Sequence, residues 1–547
     1  MQMFLAFVVA LLTTATLVPL LARWAPFMGL TDRPGPRKVH CTPVPRIGGV
    51  AMAVGILAAI LISVQLTPAV AGLLLGLAVL LVFGIYDDRM ALGYRAKFAG
   101  QILAVALCMI VGRVHIDVLT VGTLGPLPAI VSLPLTFVFL IGVTNAVNLS
   151  DGLDGLAGGL VLLCLCGIAL LAAASTNMAV TTLALSEAGA VLGFLRFNTH
   201  PARVFMGDAG SQVLGFTAGV LAILATQGES SAVSAALPLL LLALPIVDTL
   251  TVMLIRLRAG RSPFSADSSH LHHRLLGLGF THREAVILIY VMQIALLLCA
   301  YFLRFESDLD IILVFCGCGA LLLGTLHLAA SSGWRVPQAL SIDVFAKVAH
   351  FAGSLLPAAR LPTLVLGILS TGLAAYIVIV IAASKRVGGD VAVLSLIMLV
   401  VLAFLSSWRA ERSLRWFERP AAYISIVVLV YLDETTPAKS ALLTALSWVL
   451  IAIIGAAAVL RLWISPTRRF EANSLDVLVV FIALVMPHLT RSTSLPSDLP
   501  AGIAKAIVLL YVVEMMLAID LKRLMPRAFL ALTLAVIAAR GLLATST

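Results

Sequence analysis

Four short segments of the chain carry the side chains that polar chemistry needs. In Gly84-Ile85-Tyr86-Asp87-Asp88-Arg89, with Arg95 and Lys97 close behind, two adjacent carboxylates repel unless a cation or basic groups offset them. Asp87 and Asp88 are therefore candidates for work beside a cation, against the plainer reading of a solvated loop with Asp88 as a helix cap. In Asn148-Leu149-Ser150-Asp151-Gly152-Leu153-Asp154-Gly155 the oxygen-bearing residues recur every third position. Asn148, Asp151 and Asp154 then face one way in a turn or helix, and the glycines let backbone approach a phosphate or a metal. The structural alternative is an Asx turn beside a small-residue helix contact. The third segment runs from Asn198 through His200, Pro201 and Arg203 to Gly207-Asp208-Ala209-Gly210-Ser211. Asp208 either caps a helix or offers a hard oxygen to a metal, and Arg203 is either a phosphate contact or ordinary surface charge. The fourth, Asp267-Ser268-Ser269-His270-Leu271-His272-His273-Arg274, is a dense donor set suited to phosphate oxygens. Its rival reading is a zinc site, although no cysteine stands near to complete one.

These segments must be held by something other than a water-soluble fold. Of 547 residues 61% are hydrophobic and 11% charged, and the mean hydropathy is +1.10, which excludes a conventional soluble surface. Apolar runs of about 20 residues, each enough to cross a bilayer as a helix, recur throughout, so the predicted fold class is an all-α polytopic membrane protein. In the first part the spans fall near 3–23, 46–64, 69–86, 95–112, 128–147, 155–174, 178–196, 210–226, 236–257, 285–303 and 310–330, eleven in all. The first is too long and too well followed by further spans to be a cleaved signal. Cys164, Cys166, Cys316 and Cys318 sit inside apolar runs and are expected to be small core residues rather than disulfide or zinc partners.

Alternation makes the connections after helices 1, 3, 5, 7 and 9 share one side. Basic residues from Arg23 to Arg283 crowd that side, whereas the opposite connections hold only Arg113 and Arg304. The asymmetry predicts that the odd face is cytoplasmic and the N-terminus outside, and it explains the net charge of +10 without nucleic acid as a partner. All four polar segments lie on that face. Asp248 and Glu187 fall inside helices 9 and 7, where a carboxylate is a functional candidate by default or else a cap or partner of a neighbouring helix.

Beyond residue 330 the chain changes character. A Pro- and Ser-punctuated stretch, 331–360, precedes about seven further apolar runs near 362–382, 390–407, 420–432, 441–460, 474–489, 502–519 and 527–545. Residues 331–547 are expected to be a second membrane domain with no acidic or histidine cluster and no assigned chemistry, and residues 1–330 the domain that carries the site.

Taken together, Arg37-Lys38 with Thr42-Pro43 and Gly48-Gly49, Asp87-Asp88, Asn148 to Gly155, Phe205 to Ser211, and His270 to Arg274 resemble the polyprenyl-phosphate N-acetylhexosamine-1-phosphate transferase superfamily. The histidine segment is most similar to the bacterial undecaprenyl-phosphate GlcNAc-1-phosphate transferase branch. The resemblance implies a multi-pass enzyme of the bacterial inner membrane that moves a sugar 1-phosphate from a UDP-sugar to undecaprenyl phosphate, with release of UMP. It implies that Asp208 with Asn148 helps to hold Mg²⁺, or Mn²⁺ in its place, and that Asp87 and Asp88 stand beside the lipid phosphate. Lys97 and Lys38 would bind that phosphate. Asp151 and Asp154 would border the nucleotide and complete the catalytic carboxylates. Asn148, Asn198, Arg203, His270, His272, His273 and Arg274 would contact the nucleotide sugar. Oligomeric state is not implied, and typical members end near the eleventh helix.

The rival class is an ion-coupled transporter, since intramembrane ionisable groups often mark a cation path. A flippase for lipid-linked sugars is a further alternative, chiefly for the C-terminal domain. CDP-alcohol phosphotransferases also use Asp-Gly pairs, but the 151–155 segment lacks their following Ala-Arg and distal paired aspartates.

Overall fold

A computed structural model of the chain describes residues 2–34, 42–119, 126–227, 233–262, 269–336, 361–384, 389–407, 411–435, 441–464, 474–485, 489, 498–519 and 524–545. It divides into two compact units. One comprises Met1–Val336 with Asn473–Leu478 and Leu489–Leu495; the other comprises Pro337–Ala472, Val479–His488 and Pro496–Thr547. Among the described residues eleven helices are long and apolar enough to cross a membrane, so the molecule is an all-α polytopic membrane protein. Leu61, Ile110, Ile130 and Leu313 are exposed on helices whose other faces pack inward. A lipid-facing surface requires that arrangement.

In the first unit α1 (Gln2–Met28) is followed by a short antiparallel pair, β1 (Thr31–Asp32) and β2 (Val44–Pro45), and by α2 (Gly48–Ser63). Then come α3 (Pro68–Met90), α4 (Tyr94–Ile110), α5 (Ala129–Ser150), α6 (Leu156–Ala174), α7 (Met178–Asn198) and α8 (Gly207–Thr226). The unit continues with α9 (Leu237–Leu241), α10 (Ala243–Arg258), α11 (Leu271–Gly277), α12 (His282–Phe302) and α13 (Asp308–Ser331). Helices α6 and α8 are buried along almost their whole length. Helix α8 packs against α2, α3, α5 and α6, so its N-terminus is a meeting point for several chain segments.

The expected ninth span is two helices. Pro245 has no N–H and its ring crowds the carbonyl four residues back; that carbonyl belongs to Leu241, and the helix breaks at Leu242. The freed Leu241 oxygen accepts hydrogen bonds from Gln293 Nε2 at 2.7 Å and Cys164 Sγ at 2.9 Å. Cys164 and Cys166 are buried as expected, but Cys316 is exposed, because α13 turns most of its apolar surface outward. Glu187 is a buried partner of Thr217, whose Oγ1 donates to it at 2.5 Å.

The second unit contains α14 (Leu361–Ala383), α15 (Gly389–Ser407), α16 (Glu411–Thr435), α17 (Ala441–Ile464), α19 (Asp498–Ile519) and α20 (Leu524–Thr545), with part of α18 (Ser474–Leu484). Met398, Leu402, Ala421, Leu530 and Leu534 form an apolar core where α15, α16 and α20 meet. No acidic or histidine cluster is expected here from the sequence, and the structure corrects this by gathering an acidic pair, Asp433 and Glu434, around one buried lysine. Lys505 Nζ lies 2.5 Å from Asp433 Oδ2 and 2.6 Å from Glu434 Oε1, and it donates to Ser447 Oγ at 3.1 Å. The sequence hid this group because Lys505 stands alone in an apolar run and meets its partners only through packing.

Candidate functional site

The site is built where α3, α4, α5 and α8 bring one end together. Helix α3 stops at Ala91, whose φ of 51° ends the helical ladder, and Asp87 Oδ1 accepts the Leu92 N–H at 2.7 Å to brace the turn into α4. Lys97, in the first turn of α4, then reaches two carboxylates. Its Nζ lies 2.5 Å from Asp87 Oδ2 and 2.9 Å from Asp208 Oδ2. Asn148, in the last turn of α5, donates through Nδ2 to Asp208 Oδ1 and to Ser211 Oγ, both at 2.8 Å.

Asp88 has a different task. Its two oxygens accept the N–H groups of Asp208 and Ala209 at 2.9 and 3.2 Å. These are orphan donors in the first turn of α8, and a carboxylate is favoured there by both hydrogen bonding and the helix dipole. Gly207 makes the contact possible. Its φ is +71°, and a Cβ there would lie 2.3 Å from Asp88 Oδ2. Asp88 thus holds Asp208 in place rather than offering free oxygens.

A cleft of about 630 Å³ opens over this floor, lined by Asp88, Asn148, Asp151, Asp154, Asn198 and Asp208 among others. Arg46 also lines it, bound to Asp32 Oδ1 at 2.6 Å and 3.9 Å from Asp88 Oδ1. The segments bearing Arg46 and Asp208 are stitched together by backbone: Gly48 N–H to Phe205 O at 3.0 Å and Gly49 N–H to Met206 O at 2.9 Å.

Asp151 is exposed to the cleft, where desolvation by the surrounding walls and then the nearby Asp208, Asp88 and Asp154 charges push its carboxyl up to about 7. Burial pushes Asp154 up as well, but hydrogen bonds from His200 Nδ1 at 2.8 Å and Ala202 N–H at 3.0 Å outweigh it and hold the carboxyl below its usual range. The His200 and His282 rings stack at 4.1 Å. Asn198 is a brace, accepting from Gly155 N–H and donating to Val204 O, each at 3.0 Å.

The histidine segment flanks the cleft. His270 Nδ1 meets Asp248 Oδ2 at 2.9 Å, and Asp248 Oδ1 accepts the Leu271 N–H at 2.7 Å; Asp248 is therefore the cap of α11. His272 packs on Gly152, where a Cβ would lie 2.2 Å from its Nε2. Burial, then the charges of its neighbours, push His272 down to about 4, so it is neutral at pH 7. His273 stands beside it with ring centroids 4.3 Å apart, and Arg274 Nε donates to Ser269 O at 2.9 Å.

The structure thus joins Asp87, Asp88, Lys97, Asn148 and Asp208 directly, and Asp151, Asp154 and Asn198 through the cleft. Arg203 is exposed and does not line the cleft, and Lys38 lies outside the described residues. Zinc at residues 270–273 finds no support. Among the described residues the group whose ligand atoms approach within 4.8 Å is Asp154, His200 and His282. Sequence reasoning gave no role to Arg46, Asp32, His200 and His282. The signal for three of them was present, since Arg46, His200 and His282 are cationic or imidazole groups at helix ends on the same basic face.

Residues 70–226, which hold most of this site, match the sequence model of glycosyl transferase family 4. A Bacillus subtilis protein named probable undecaprenyl-phosphate N-acetylglucosaminyl 1-phosphate transferase is 38% identical over 291 residues, covering 52% of this chain and 81% of that protein. The chain belongs to the polyprenyl-phosphate GlcNAc-1-phosphate transferase family. As a member it is a phosphoglycosyltransferase. Other members are similar: a Mycolicibacterium smegmatis decaprenyl-phosphate N-acetylglucosaminephosphotransferase, 37% identical over 48% of this chain and 72% of that protein, and a Yersinia pestis undecaprenyl-phosphate alpha-N-acetylglucosaminyl 1-phosphate transferase, 34% identical over 48% and 73%. Each of these family relationships spans about half of this chain.

Proposed function

We propose that the chain transfers GlcNAc 1-phosphate from UDP-GlcNAc to undecaprenyl phosphate, with release of UMP, at the cytoplasmic face of a bacterial inner membrane, as a first membrane step of envelope polysaccharide synthesis. The observation that carries this reading is Lys97 held between Asp87 and Asp208, with Asp208 itself lining a polar cleft. The three relatives named above, each named for N-acetylglucosamine, support the choice of sugar. Basic residues concentrated on the site's face support its cytoplasmic side and an outside N-terminus.

In the reaction an oxygen of the acceptor phosphate attacks the β-phosphorus of the donor. A new P–O bond forms there, and the bond from that phosphorus to the oxygen shared with the α-phosphate breaks, so UMP leaves with the electron pair. Such transfers depend on positioning and charge neutralisation more than on covalent help from the protein. The lipid phosphate's second pKa, about 6 by analogy with phosphorylated side chains, makes much of it dianionic at neutral pH. A general base is then not required, and Asp87, committed to the Leu92 N–H and the Lys97 ammonium, positions that lysine.

The donor set fits a hard divalent cation. Asp208 Oδ2 already faces a cationic centre, the Lys97 ammonium, and Asn148, which here donates Nδ2 to Asp208 Oδ1, would join it as a ligand by turning its amide oxygen inward. Mg²⁺ or Mn²⁺ suits such oxygens, with Asp208 the principal ligand. When bound, the ion supplies positive charge to the pyrophosphate oxygens. Lys97 would turn toward the acceptor phosphate, Arg46 would face the donor phosphates from the cleft wall, and Asp151 and Asp154 would border the nucleoside. Purified full-length chain incubated with undecaprenyl phosphate, Mg²⁺ and a panel of UDP-sugars should release UMP with UDP-GlcNAc in preference to the others. Release of UMP with none of them would sink the proposal.

A further inference from the structure

Beneath the site lies a second tier that none of the chemistry above uses. Gln101 on α4, Asn145 on α5 and Gln212 on α8 meet in the interior. Gln101 Nε2 donates to Gln212 Oε1 at 3.2 Å and to Asn145 Oδ1 at 3.3 Å, and Asn145 Nδ2 returns a hydrogen bond to Gln101 Oε1 at 2.8 Å. Asn145 Nδ2 also donates to its own helix at Ile141 O, 2.8 Å. Gln101 and Gln212 are 2% and 3% exposed, and none of the three leaves a buried side-chain atom without a partner.

The register of this tier is its telling feature. Gln101 follows Lys97 by one turn, Gln212 follows Asp208 by one turn, and Asn145 precedes Asn148 by one turn. Residues three or four apart share a helix face. The same three helices are therefore tied twice: once beside the cleft by Lys97, Asp208 and Asn148, and once a turn deeper by three amides. Within a bilayer apolar contacts give helices little axial register, because lipid is as apolar as the neighbouring helix. A reciprocal amide pair is directional and tolerates little sliding. Displacement of a reacting group by about 1 Å costs on the order of a hundredfold in rate, so a register lock matters most directly beneath the groups it aligns.

We infer that Gln101, Asn145 and Gln212 are positioning residues that set the axial register of α4, α5 and α8, and thereby the separation of Lys97 from Asp208. This rests on the transferase reading above. It goes beyond it by giving a catalytic consequence to residues that touch no substrate.

The test uses full-length chain with UDP-GlcNAc and undecaprenyl phosphate. Wild-type turnover is measured first; its absence overturns the transferase reading, and this inference with it. With an active wild type, Gln212→Leu should lower kcat about tenfold or more, with KM for both substrates within about twofold and an unfolding midpoint at or near that of wild type. Gln212→Glu, which keeps an acceptor for Gln101 Nε2, should regain most of the lost kcat. Gln101→Leu combined with Gln212→Leu should fall no further than the worse single variant, because the amides act as one unit. Unchanged kcat in Gln212→Leu overturns the inference. So does a loss that follows the unfolding midpoint, or one that Gln212→Glu does not recover, because a purely structural role predicts those results.

Discussion

Lys97 Nζ lies 2.9 Å from Asp208 Oδ2, although 111 residues separate the two. The same nitrogen lies 2.5 Å from Asp87 Oδ2, so one ammonium holds two carboxylates that would otherwise repel.

Replacing Lys97 removes that balance. Lys97→Met should lower UMP release by about 10²–10³-fold, the usual effect of deleting one electrostatic contact to the transition state. Lys97→Arg should not restore it, because a planar guanidinium cannot stand in for a point charge between two carboxylates. Steady-state rates of the two variants check both statements, and near-wild-type turnover in Lys97→Met would remove the lysine from the mechanism.

Asp208 is the proposed principal metal ligand. In Asp208→Asn the Mg²⁺ concentration for half-maximal activity should rise by at least about tenfold, while the protein still folds, because the one amide oxygen of Asn can keep the Lys97 contact of Oδ2 and gives up only the acceptor for Asn148 Nδ2. A Mg²⁺ titration of initial rate makes the comparison. An unchanged midpoint with full activity would place the metal elsewhere.

The Gly207 contact with Asp88 can be separated from backbone strain. Gly207 and Gly260 have φ of +71° and +66°, but a Cβ at Gly260 meets nothing within 4 Å, whereas one at Gly207 collides with the Asp88 carboxylate. Gly260→Ala should therefore cost about 1–2 kcal/mol from the left-handed conformation alone and leave transfer intact. Gly207→Ala should cost that plus about 1–3 kcal/mol for displaced hydrogen bonds and should abolish transfer. Denaturation midpoints and turnover of the pair distinguish the terms, and equal behaviour of the two variants would contradict Asp88 as the brace of α8.

His272 sets a pH dependence of stability. The unfolded imidazole takes up a proton near 6.5, and the native one, buried beside other histidines, only near 4. Between those values the unfolded state binds more protons, so stability falls as pH drops through that window and levels off below it. Thermal unfolding of the full chain from pH 7.5 to 4 should show a slope that His272→Gln flattens. An identical slope in the variant would assign the dependence to other groups.

Hydropathy located nearly every helix of both units, because a run of about 20 apolar residues has few stable alternatives in a bilayer. Two exceptions stand in the first unit: the seven-residue α11 (Leu271–Gly277) is too short for a hydropathy signal, and in 236–257 Pro245 was in plain view, yet the break it makes is stabilised by Gln293 and Cys164, residues that the sequence does not connect to it. The carboxylates were visible as a group, but their division of labour was not. Asp87 and Asp88 are neighbours of identical chemistry, and packing alone turns one toward Lys97 and the other toward the first turn of α8.

By itself the sequence determined the membrane setting, the helix order, the family and the residue types gathered at one end of the bundle, since those depend on composition, spacing and alternation. Tertiary structure alone decided which oxygen meets which donor: Asp248 with His270, Asp154 with His200, Lys505 with Asp433. Hydrogen bonds form over about 3 Å and within a narrow range of angles. Partners far apart in the chain reach that geometry only when helix packing fixes rotation and depth together.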